Sequence, residues 1–297
     1  MKASKKSKVQ DISVIIVTWN GGKILKNCLK SLVSNKADLK LQIIIVDNNS
    51  TDKTTQFIKT NYPEVELIEN SINKGFARAN NQGIKKAQAD YILLLNQDIQ
   101  ILPGALIKLY DFLTQNKKTG NGKIASVSPQ LLYPNKKLQK SLRPFPSPLN
   151  ILKDAFTFGK FHENYYNHKK EQVVEQPMAS CLLYRSQALK QAQGFDQAPA
   201  FFLYFNDVDL SFRIKQLGYK HYYLPQAQAI HHHGYSAKTW SEFKRLKAWS
   251  RGLYYFLVKH YAKDNLLKKS LIALEVLLIF IMRLLFSVKM AVSKSSK

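Results

Sequence analysis

Short apolar runs alternate with helical stretches through the first part of the chain, and this order limits the folds that the chain can adopt. Four runs have the length and β-branched content of strands, and they span residues 12–17, 41–46, 65–69 and 91–95. The stretches between them have helical spacing near 22–34, 52–61 and 76–88. A β-α-β-α order predicts an α/β fold, in which helices cover both faces of a mostly parallel sheet.

Polar residues follow three of the predicted strands. They form the segments TWN (18–20), DNNSTD (47–52) and NQD (96–98). Sheets of this class bind their ligands at the carboxyl ends of the strands, so we expect these segments to contribute to one site.

Two of these segments place a carboxylate at the end of a strand. Asp47 suits recognition of the polar edge of a ring, whereas Ser50 and Thr51 are explained equally well as helix caps. Asn96 and Asp98 offer amide and carboxylate oxygens, which are hard ligands suited to Mg²⁺ or Mn²⁺ bridging a diphosphate. An aspartate that caps the next turn explains Asp98 equally well when this motif is taken alone.

The segment NKGFARANNQG (73–83) combines a glycine, several amides and two cations at a predicted helix start. Lys74 and Arg78 are placed to meet a diphosphate there, although a single glycine-containing turn is weak evidence.

An apolar, mostly aromatic run leads directly into two carboxylates in FFLYFNDVDLSFR (201–213). One interpretation is a helix start, with Asn206 as the cap and with Asp207 and Asp209 in the first turn, where the helix dipole favours acids. The other interpretation is a functional role for a carboxylate beside an aromatic wall. The motif alone favours neither.

The regular pattern stops after the first part of the chain. Residues 134–175 are rich in proline and basic side chains, and they predict a long loop region that serves as a lid or an acceptor-side segment. Strands are predicted again at 177–185 and 219–225.

The C-terminal part has a different composition. Residues 240–260 predict a basic amphipathic helix whose charged side carries Lys244, Lys247, Arg251 and Lys259. Residues 271–288 are nearly all apolar, but Glu275 and Arg283 make a membrane span costly. We favour a helix in the plane of the membrane interface over a span, and an ordinary buried or oligomer-forming helix is the third alternative.

The net charge of +25, from 45 basic and 20 acidic residues, indicates a polyanionic neighbour. Nucleic acid, an anionic membrane surface and phosphate-bearing ligands all fit. Cys28 and Cys181 have no metal-ligand spacing and favour a reducing compartment. The segment MKASKKSKVQ lacks the apolar stretch of a secretory signal, and the run behind it has only six residues, so we expect a cytoplasmic protein.

Six motifs occur in a family-like order and spacing. They are SVIIVTWN, IIVDNNSTD, NKGFARANNQGI, YILLLNQD, GFDQAPAFFLYFNDVDLSFRIKQLGY and LPQAQAIHHHGYS. Together they resemble an inverting family 2 glycosyltransferase of the GT-A (Rossmann-like) fold, in the rhamnosyltransferase-like branch. The resemblance covers about residues 11–236 and implies a transferase domain there, with a basic tail at 1–10 and a helical, membrane-associating extension at 237–297.

The resemblance implies roles for individual residues. Asp207 matches the catalytic base, Asp98 matches the metal ligand, and His231 matches a histidine that helps to bind metal or diphosphate. Asp209 is left for capping or support of the fold. Contact with the nucleotide-sugar is expected from Thr18, Asn20, Asp47 (as the reader of the base), Lys74, Arg78 and Asn96.

The implied reaction is transfer of a sugar with inversion. Asp207 would take a proton from an acceptor hydroxyl, and the aromatic wall would raise its pKa and make it a better base. A divalent metal, Mg²⁺ or Mn²⁺, would stabilise the leaving phosphate. The branch favours a dTDP- or UDP-sugar donor, with rhamnose as the sugar, and a saccharide or lipid-linked acceptor in cell-surface polysaccharide assembly. The extension predicts peripheral attachment to the anionic inner face of the cell membrane.

Two positions depart from the family pattern, and they keep a second hypothesis open. Asn206 stands where an acid is expected and Gln97 where proline is frequent, so a non-catalytic relative that binds nucleotide-sugar or a partner protein is the alternative. A basic nucleic-acid-binding protein is the third hypothesis, but no nucleic-acid module is recognisable. The histidines at 231–233 do not predict a metal site by themselves, because neighbours on a strand point to opposite faces. We favour an active enzyme with no nucleic-acid partner.

Overall fold

Strands and helices alternate along the chain in the computed structural model, which describes residues 10–116, 118–119, 122–157, 160–232 and 240–295. The strands are β1 (Ile12–Thr18), β2 (Leu41–Asp47), β3 (Glu66–Glu69), β4 (Tyr91–Asn96), β5 (Ile99–Ile101), β6 (Lys118–Thr119), β7 (Gly122–Leu132), β8 (Leu142–Arg143), β9 (Gln172–Val174), β10 (Gln176–Pro177), β11 (Cys181–Arg185) and β12 (Tyr219–His231). The helices are α1 (Gly22–Ser34), α2 (Thr54–Asn61), α3 (Gly75–Lys86), α4 (Ala105–Gln115), α5 (Pro148–Phe156), α6 (Lys160–Asn164), α7 (Ser186–Gln191), α8 (Asn206–Gln216), α9 (Glu242–Leu257) and α10 (Leu266–Ser295). The predicted tail at 1–10 lies outside the described residues except for Gln10.

The first four strands form a parallel unit of the central sheet, in the order β3-β2-β1-β4, and this confirms the predicted strands. Pairing in register places Thr18 opposite Asp47 and Val17 opposite Asn96. The polar strand ends therefore meet at one edge of the sheet, as their sequence positions predict.

The sheet continues from β4 through β11, β7 and β12 to β5. Strand β11 is antiparallel to β4, and β12 is antiparallel to β5, with His231 opposite Ile99. The predicted strand at 219–225 thus continues to His231. This pairing places the end of β12 beside the residue that precedes β5, which is Asp98.

Helices cover both faces of the sheet because their apolar residues recur at helical spacing. On one face, Leu25, Leu29 and Leu32 of α1 are fully buried in a cluster that also contains apolar residues of α4. On the other face, Leu189 of α7 and Leu210 of α8 belong to a second buried cluster. The apolar strands between them need no polar face for solvent.

The region at 134–175 is not a continuous loop, so that prediction is wrong. It contains strands β8 and β9 and helices α5 and α6. The start of α5 is capped by the Ser147 hydroxyl, which accepts from the backbone N–H of Asn150, and Pro148 occupies the first helical turn. Proline here begins a helix, whereas the proline-rich composition predicts a loop.

The helices after residue 240 pack against the rest of the protein. One buried cluster combines Phe201, Phe205 and Val208 with Leu253 of α9 and Val276 of α10. Within the described ranges, none of the helices is long and apolar enough to cross a membrane.

A buried ion cluster also joins helix α8 to the segment that follows α9. Asp209 is fully buried and accepts from Arg213 Nε at 2.7 Å, Lys259 Nζ at 2.6 Å and His260 Nε2 at 2.8 Å. Burial raises the pKa of Asp209, but the bonds from His260, Arg213 and Lys259 outweigh it and hold that pKa at about 2. Lys259 is thus an internal ion-pair partner, which corrects its predicted position on a free basic helix side.

We expect Asp209→Asn to lower the free energy of unfolding at neutral pH by about 3 kcal/mol, because it leaves buried cations without their acid. The contribution is present above the ordinary Asp pKa of 3.8 and declines as pH falls towards 2, since the folded-state pKa is the lower one. Urea denaturation at several pH values measures it. Asp264→Asn removes the same charge from an exposed site and should change stability by less than about 0.5 kcal/mol. Equal midpoints for the two variants would contradict a stabilising role for Asp209.

Candidate active site

A cleft of about 1060 Å³ opens at the carboxyl ends of β1 and β4. The strand ends and the start of α3 form one end, and α5, α9 and α10 form the other. Four of the predicted site residues line it, namely Thr18, Asn96, Asp98 and Asp207.

The end of β1 is held by Gln97, which explains one departure from the family pattern. The Thr18 hydroxyl donates to Gln97 Oε1 at 2.6 Å, and the backbone N–H of Trp19 lies 3.4 Å from the same oxygen. Gln97 therefore fixes the loop after β1 by side-chain bonds, and it lines the cleft itself.

Asp47 and Asn20 organise the neighbouring loop. Asp47 accepts from the Ser50 backbone N–H at 2.8 Å and from the Ser50 hydroxyl at 2.5 Å. Asn20 Oδ1 accepts from the Thr51 backbone N–H at 2.8 Å. Neither side chain lines the cleft, whereas Asn48, the residue after Asp47, does.

Lys74 and Arg78 do not line the cleft, so the structure does not bring them to the other predicted residues. Lys74 precedes α3, and Arg78 is exposed on it. Gly75, between them in the chain, does line the cleft and has a φ of +78°. A Cβ atom there would lie 2.9 Å from the ring of Phe202, so the close approach of that aromatic residue requires glycine.

Asp98 and His231 converge although they come from distant parts of the sequence. Asp98 Oδ1 lies 3.5 Å from His231 Nε2, and the backbone N–H of His232 donates to Asp98 O at 2.9 Å. His231 Nδ1 lies 2.9 Å from Gln139 Oε1. No group of three or more histidine, cysteine or acidic side chains with metal-binding geometry occurs among the described residues, and residues 233–236 of the last motif fall outside them.

Asp207 lies in the first turn of α8 and lines the cleft. Its Oδ1 accepts from the backbone N–H of Val208 at 2.9 Å, and its Oδ2 lies 3.5 Å from the N–H of Ala179. Burial raises the pKa of this carboxyl, and the two N–H groups and the Arg143 guanidinium oppose the shift only in part. The site thus contains a carboxylate with the raised proton affinity that a general base needs.

The turn before Asp207 is unusual, and it corrects the predicted helix cap. Phe205, with a φ of +66°, precedes the helix, and its ring lies 5.8 Å from that of Trp249. Asn206 is the first helical residue, and its side-chain amide donates to the carbonyl of Phe201 at 3.2 Å. The left-handed backbone at an aromatic residue is a strained conformation held by packing, as is frequent at functional sites.

Several residues that line the cleft were not predicted. They are Arg143, Asp154, His162, Arg245, Trp249 and Arg283. Arg143 is the one residue of this set that the sequence pattern could have indicated, because it stands in the basic, proline-rich segment. Asp154 and His162 come from the unpredicted helices α5 and α6, and the other three come from beyond residue 236, where the family motifs end.

The strand order and the polar cleft at the strand ends define the GT-A class of glycosyltransferase folds. Residues 13–192 match the family described as glycosyl transferase family 2, and the chain belongs to that family. The protein is therefore a glycosyltransferase, and the predicted family and fold are confirmed.

Two relatives are rhamnosyltransferases. N-acetylglucosaminyl-diphospho-decaprenol L-rhamnosyltransferase of Mycobacterium tuberculosis is 28% identical over 271 residues, which cover 84% of this chain and 85% of the relative. Rhamnosyltransferase WbbL of Escherichia coli is 29% identical over 235 residues, which cover 74% of this chain and 83% of the relative. Among solved structures, residues 1–349 of S. aureus TarS in complex with UDP-GlcNAc superpose with a TM-score of 0.56 at 18% identity, covering 90% of this chain and 71% of TarS. That likeness supports the fold.

Proposed function

We propose that the protein is a metal-dependent, inverting glycosyltransferase that moves a sugar, with rhamnose favoured, from a nucleoside-diphosphate sugar to a lipid-linked saccharide. The observation that carries the proposal is the shared cleft, which contains a carboxylate of raised pKa, Asp207, and the Asp98 carboxylate beside His231. Residues 11–236 are the proposed transferase domain, and 237–297 are its membrane-attaching extension.

Asp207 acts as the base in this proposal. Its Oδ1 is engaged by the Val208 N–H, whereas Oδ2 has only the long contact to Ala179, so Oδ2 is the oxygen available to an acceptor hydroxyl. Asp207 takes the hydroxyl proton while the acceptor oxygen attacks the anomeric carbon. The bond from that carbon to the nucleoside diphosphate breaks on the opposite side, which inverts the configuration. Asn206 leaves Asp207 without an adjacent acid and does not remove the base.

The donor lies at the strand ends, near Thr18, Asn48 and Asn96, and the ordered loop built by Asp47 and Asn20 receives the nucleotide base. Asp98 and His231 suit a divalent ion, because a carboxylate oxygen and an imidazole nitrogen that lie 3.5 Å apart are both ligand types for such an ion. Two protein ligands are sufficient where substrate phosphates and water supply the rest. Bound Mg²⁺ or Mn²⁺ would neutralise negative charge on the leaving diphosphate.

Rhamnose and a lipid-linked acceptor follow from the relatives. Both are named rhamnosyltransferases, and the M. tuberculosis protein is named for an acceptor sugar on diphospho-decaprenol. To test the proposal, we would screen nucleotide-sugars for protection of the full chain against thermal unfolding, with and without Mn²⁺. Metal-dependent protection by a dTDP- or UDP-sugar supports it. The absence of protection by any nucleotide-sugar would refute it.

Membrane attachment is proposed from two exposed apolar stripes. On α10, leucines at helical spacing face outward, and the opposite side of the helix packs into the core. On α5, which packs against α10, a second stripe faces outward. The residues are Leu267, Leu271, Leu274, Leu278, Ile281 and Leu285 on α10, and Leu149, Leu152 and Phe156 on α5. Exposed basic residues nearby, including Lys153 and Lys268, suit the anionic cytoplasmic leaflet.

We expect the combined substitutions Leu274→Gln, Leu278→Gln and Leu285→Gln to reduce binding to anionic vesicles by about tenfold or more, because each removes apolar surface from the interface. The measurement is flotation of the full chain with phosphatidylglycerol vesicles. A chain ending at residue 236 is unsuitable, since it would expose Asp209 and the shared core. The control carries Val33→Gln and Leu217→Gln, which change exposed apolar residues elsewhere. Equal flotation of the two variants would contradict the proposed surface.

A further inference from the structure

Arg143 is a cation inside the cleft, and its charge lowers the pKa of the Asp207 carboxyl. It ends strand β8, is exposed, and lines the cleft. Within the part of the chain that the structure describes, its guanidinium has no hydrogen bond or ion pair. An arginine offers five N–H donors in a planar fork that matches phosphate oxygens. Arg143 therefore has its full binding capacity available to a ligand.

Arg283 of α10 lines the same cleft and is held in place. Its guanidinium lies 3.9 Å from the centre of the Trp249 ring and 3.5 Å from Asp154 Oδ2. Asp154 is bound in turn by His162 Nδ1 at 2.8 Å. The side chain of Arg283 nevertheless remains 39% exposed. Stacking and ion pairing fix its orientation while leaving donors for the cleft.

The two arginines line the same cleft. Burial lowers the pKa of Arg283, and the nearby charge of Arg143 lowers it further, against the opposing effect of Asp154. Two guanidinium groups that line one cleft attract an anion that can reach both of them. The geometry is thus that of an anion site formed by α10 and β8.

This anion site lies on the side of Asp207 that is remote from Asp98. At the strand ends, the backbone N–H of Asn96 donates to Ser180 O at 2.8 Å. Ala179, which precedes Ser180 in the chain, contacts Asp207. Beyond them, the Met178 N–H donates to Ser141 O at 3.1 Å, two residues before Arg143. Along the cleft, the donor end is therefore followed by Asp207 and then by Arg143.

The far end of the cleft leads towards the apolar stripes. Ile279, Met282 and Arg283 of α10 line the cleft, and α5 contributes Ile151 and Asp154. The outward faces of the same two helices carry the exposed leucines described above. A ligand that combines an anionic group with an apolar chain would place the first at the arginines and the second along these helices.

We propose that Arg143 and Arg283 bind the diphosphate of the acceptor, and that the acceptor is a sugar joined through this diphosphate to a lipid chain. The inference rests on the proposed function, in which Asp207 separates donor from acceptor. The sugar would then lie between the arginines and the base, with its hydroxyl at Asp207.

The test uses farnesyl diphosphate, farnesol and inorganic diphosphate as probes of the full chain, with a nucleoside diphosphate and Mn²⁺ present to fill the donor end. Arg143→Gln should weaken binding of farnesyl diphosphate about tenfold or more, as expected for loss of charge-assisted hydrogen bonds. Arg143→Lys should recover only part of this, because an ammonium group cannot form the bidentate contact. Lys30→Gln removes one exposed charge from α1, outside the cleft, and should bind farnesyl diphosphate like the unchanged protein.

Three results would overturn the proposal. The first is equal binding of farnesyl diphosphate by the Arg143→Gln and Lys30→Gln proteins. The second is weaker binding of the nucleoside diphosphate by Arg143→Gln than by the unchanged protein. The third is binding of inorganic diphosphate to the unchanged protein as tight as that of farnesyl diphosphate. The second result would mean that Arg143 binds the donor. The third would mean that the lipid chain contributes nothing to binding at this site. Failure of every nucleotide-sugar to bind would instead refute the proposed function, and this is measured separately from the farnesyl diphosphate titration.

Discussion

Replacing Asp207 by asparagine should reduce sugar transfer about a hundredfold or more while nucleotide-sugar binding persists. Asparagine keeps the shape of the side chain but cannot take the acceptor proton. Because burial raises the pKa of Asp207, the unchanged protein should lose activity as pH falls through a value above the ordinary 3.8. Initial rates at saturating donor, together with a binding titration, separate the two effects.

The control for this variant is Asp264→Asn, which makes the same chemical change on the surface after α9. It should transfer sugar at the unchanged rate. Full activity in Asp207→Asn would move the base to another residue and would leave Asp207 with a role in the helix start.

Asp98→Asn should also reduce transfer about a hundredfold or more, and it should remove the metal-dependent part of donor binding. An amide keeps the size of the side chain but lacks the charge that, in the proposed function, would hold a divalent ion beside His231 Nε2, 3.5 Å away. The measurement is donor affinity with Mn²⁺ and with a chelator, for this variant and for Asp38→Asn, an exposed change outside the cleft. An Asp98→Asn protein that retains the full response to Mn²⁺ would contradict the metal assignment.

The parallel half of the sheet could be predicted from sequence because its strands are buried on both faces and read as unbroken apolar runs. The same reasoning placed Thr18, Asp47 and Asn96 at one edge, since parallel strands end together. The proximity of Asp98 to His231 depends on the pairing of β5 with β12, which local pattern does not reveal. The family resemblance supplied that expectation.

The acceptor side of the cleft was not predictable in the same way. Helix α5 begins at a proline, so its segment resembled a loop, and Arg143 gave no sign that it would remain unpaired. Helices α9 and α10 read as a separable extension, whereas Lys259 and His260 bind the buried Asp209. The charge of Lys74 and Arg78 predicted contact with a diphosphate, and both residues lie outside the cleft lining.

The central claim is direct displacement at the anomeric carbon with Asp207 as the base. The most direct measurement is NMR of the product made by the full chain from a nucleotide-sugar of known anomeric configuration. The account predicts a single product whose new glycosidic bond has the configuration opposite to that of the donor, and about a hundredth as much product or less from Asp207→Asn in the same time. A product that retains the donor configuration would contradict it.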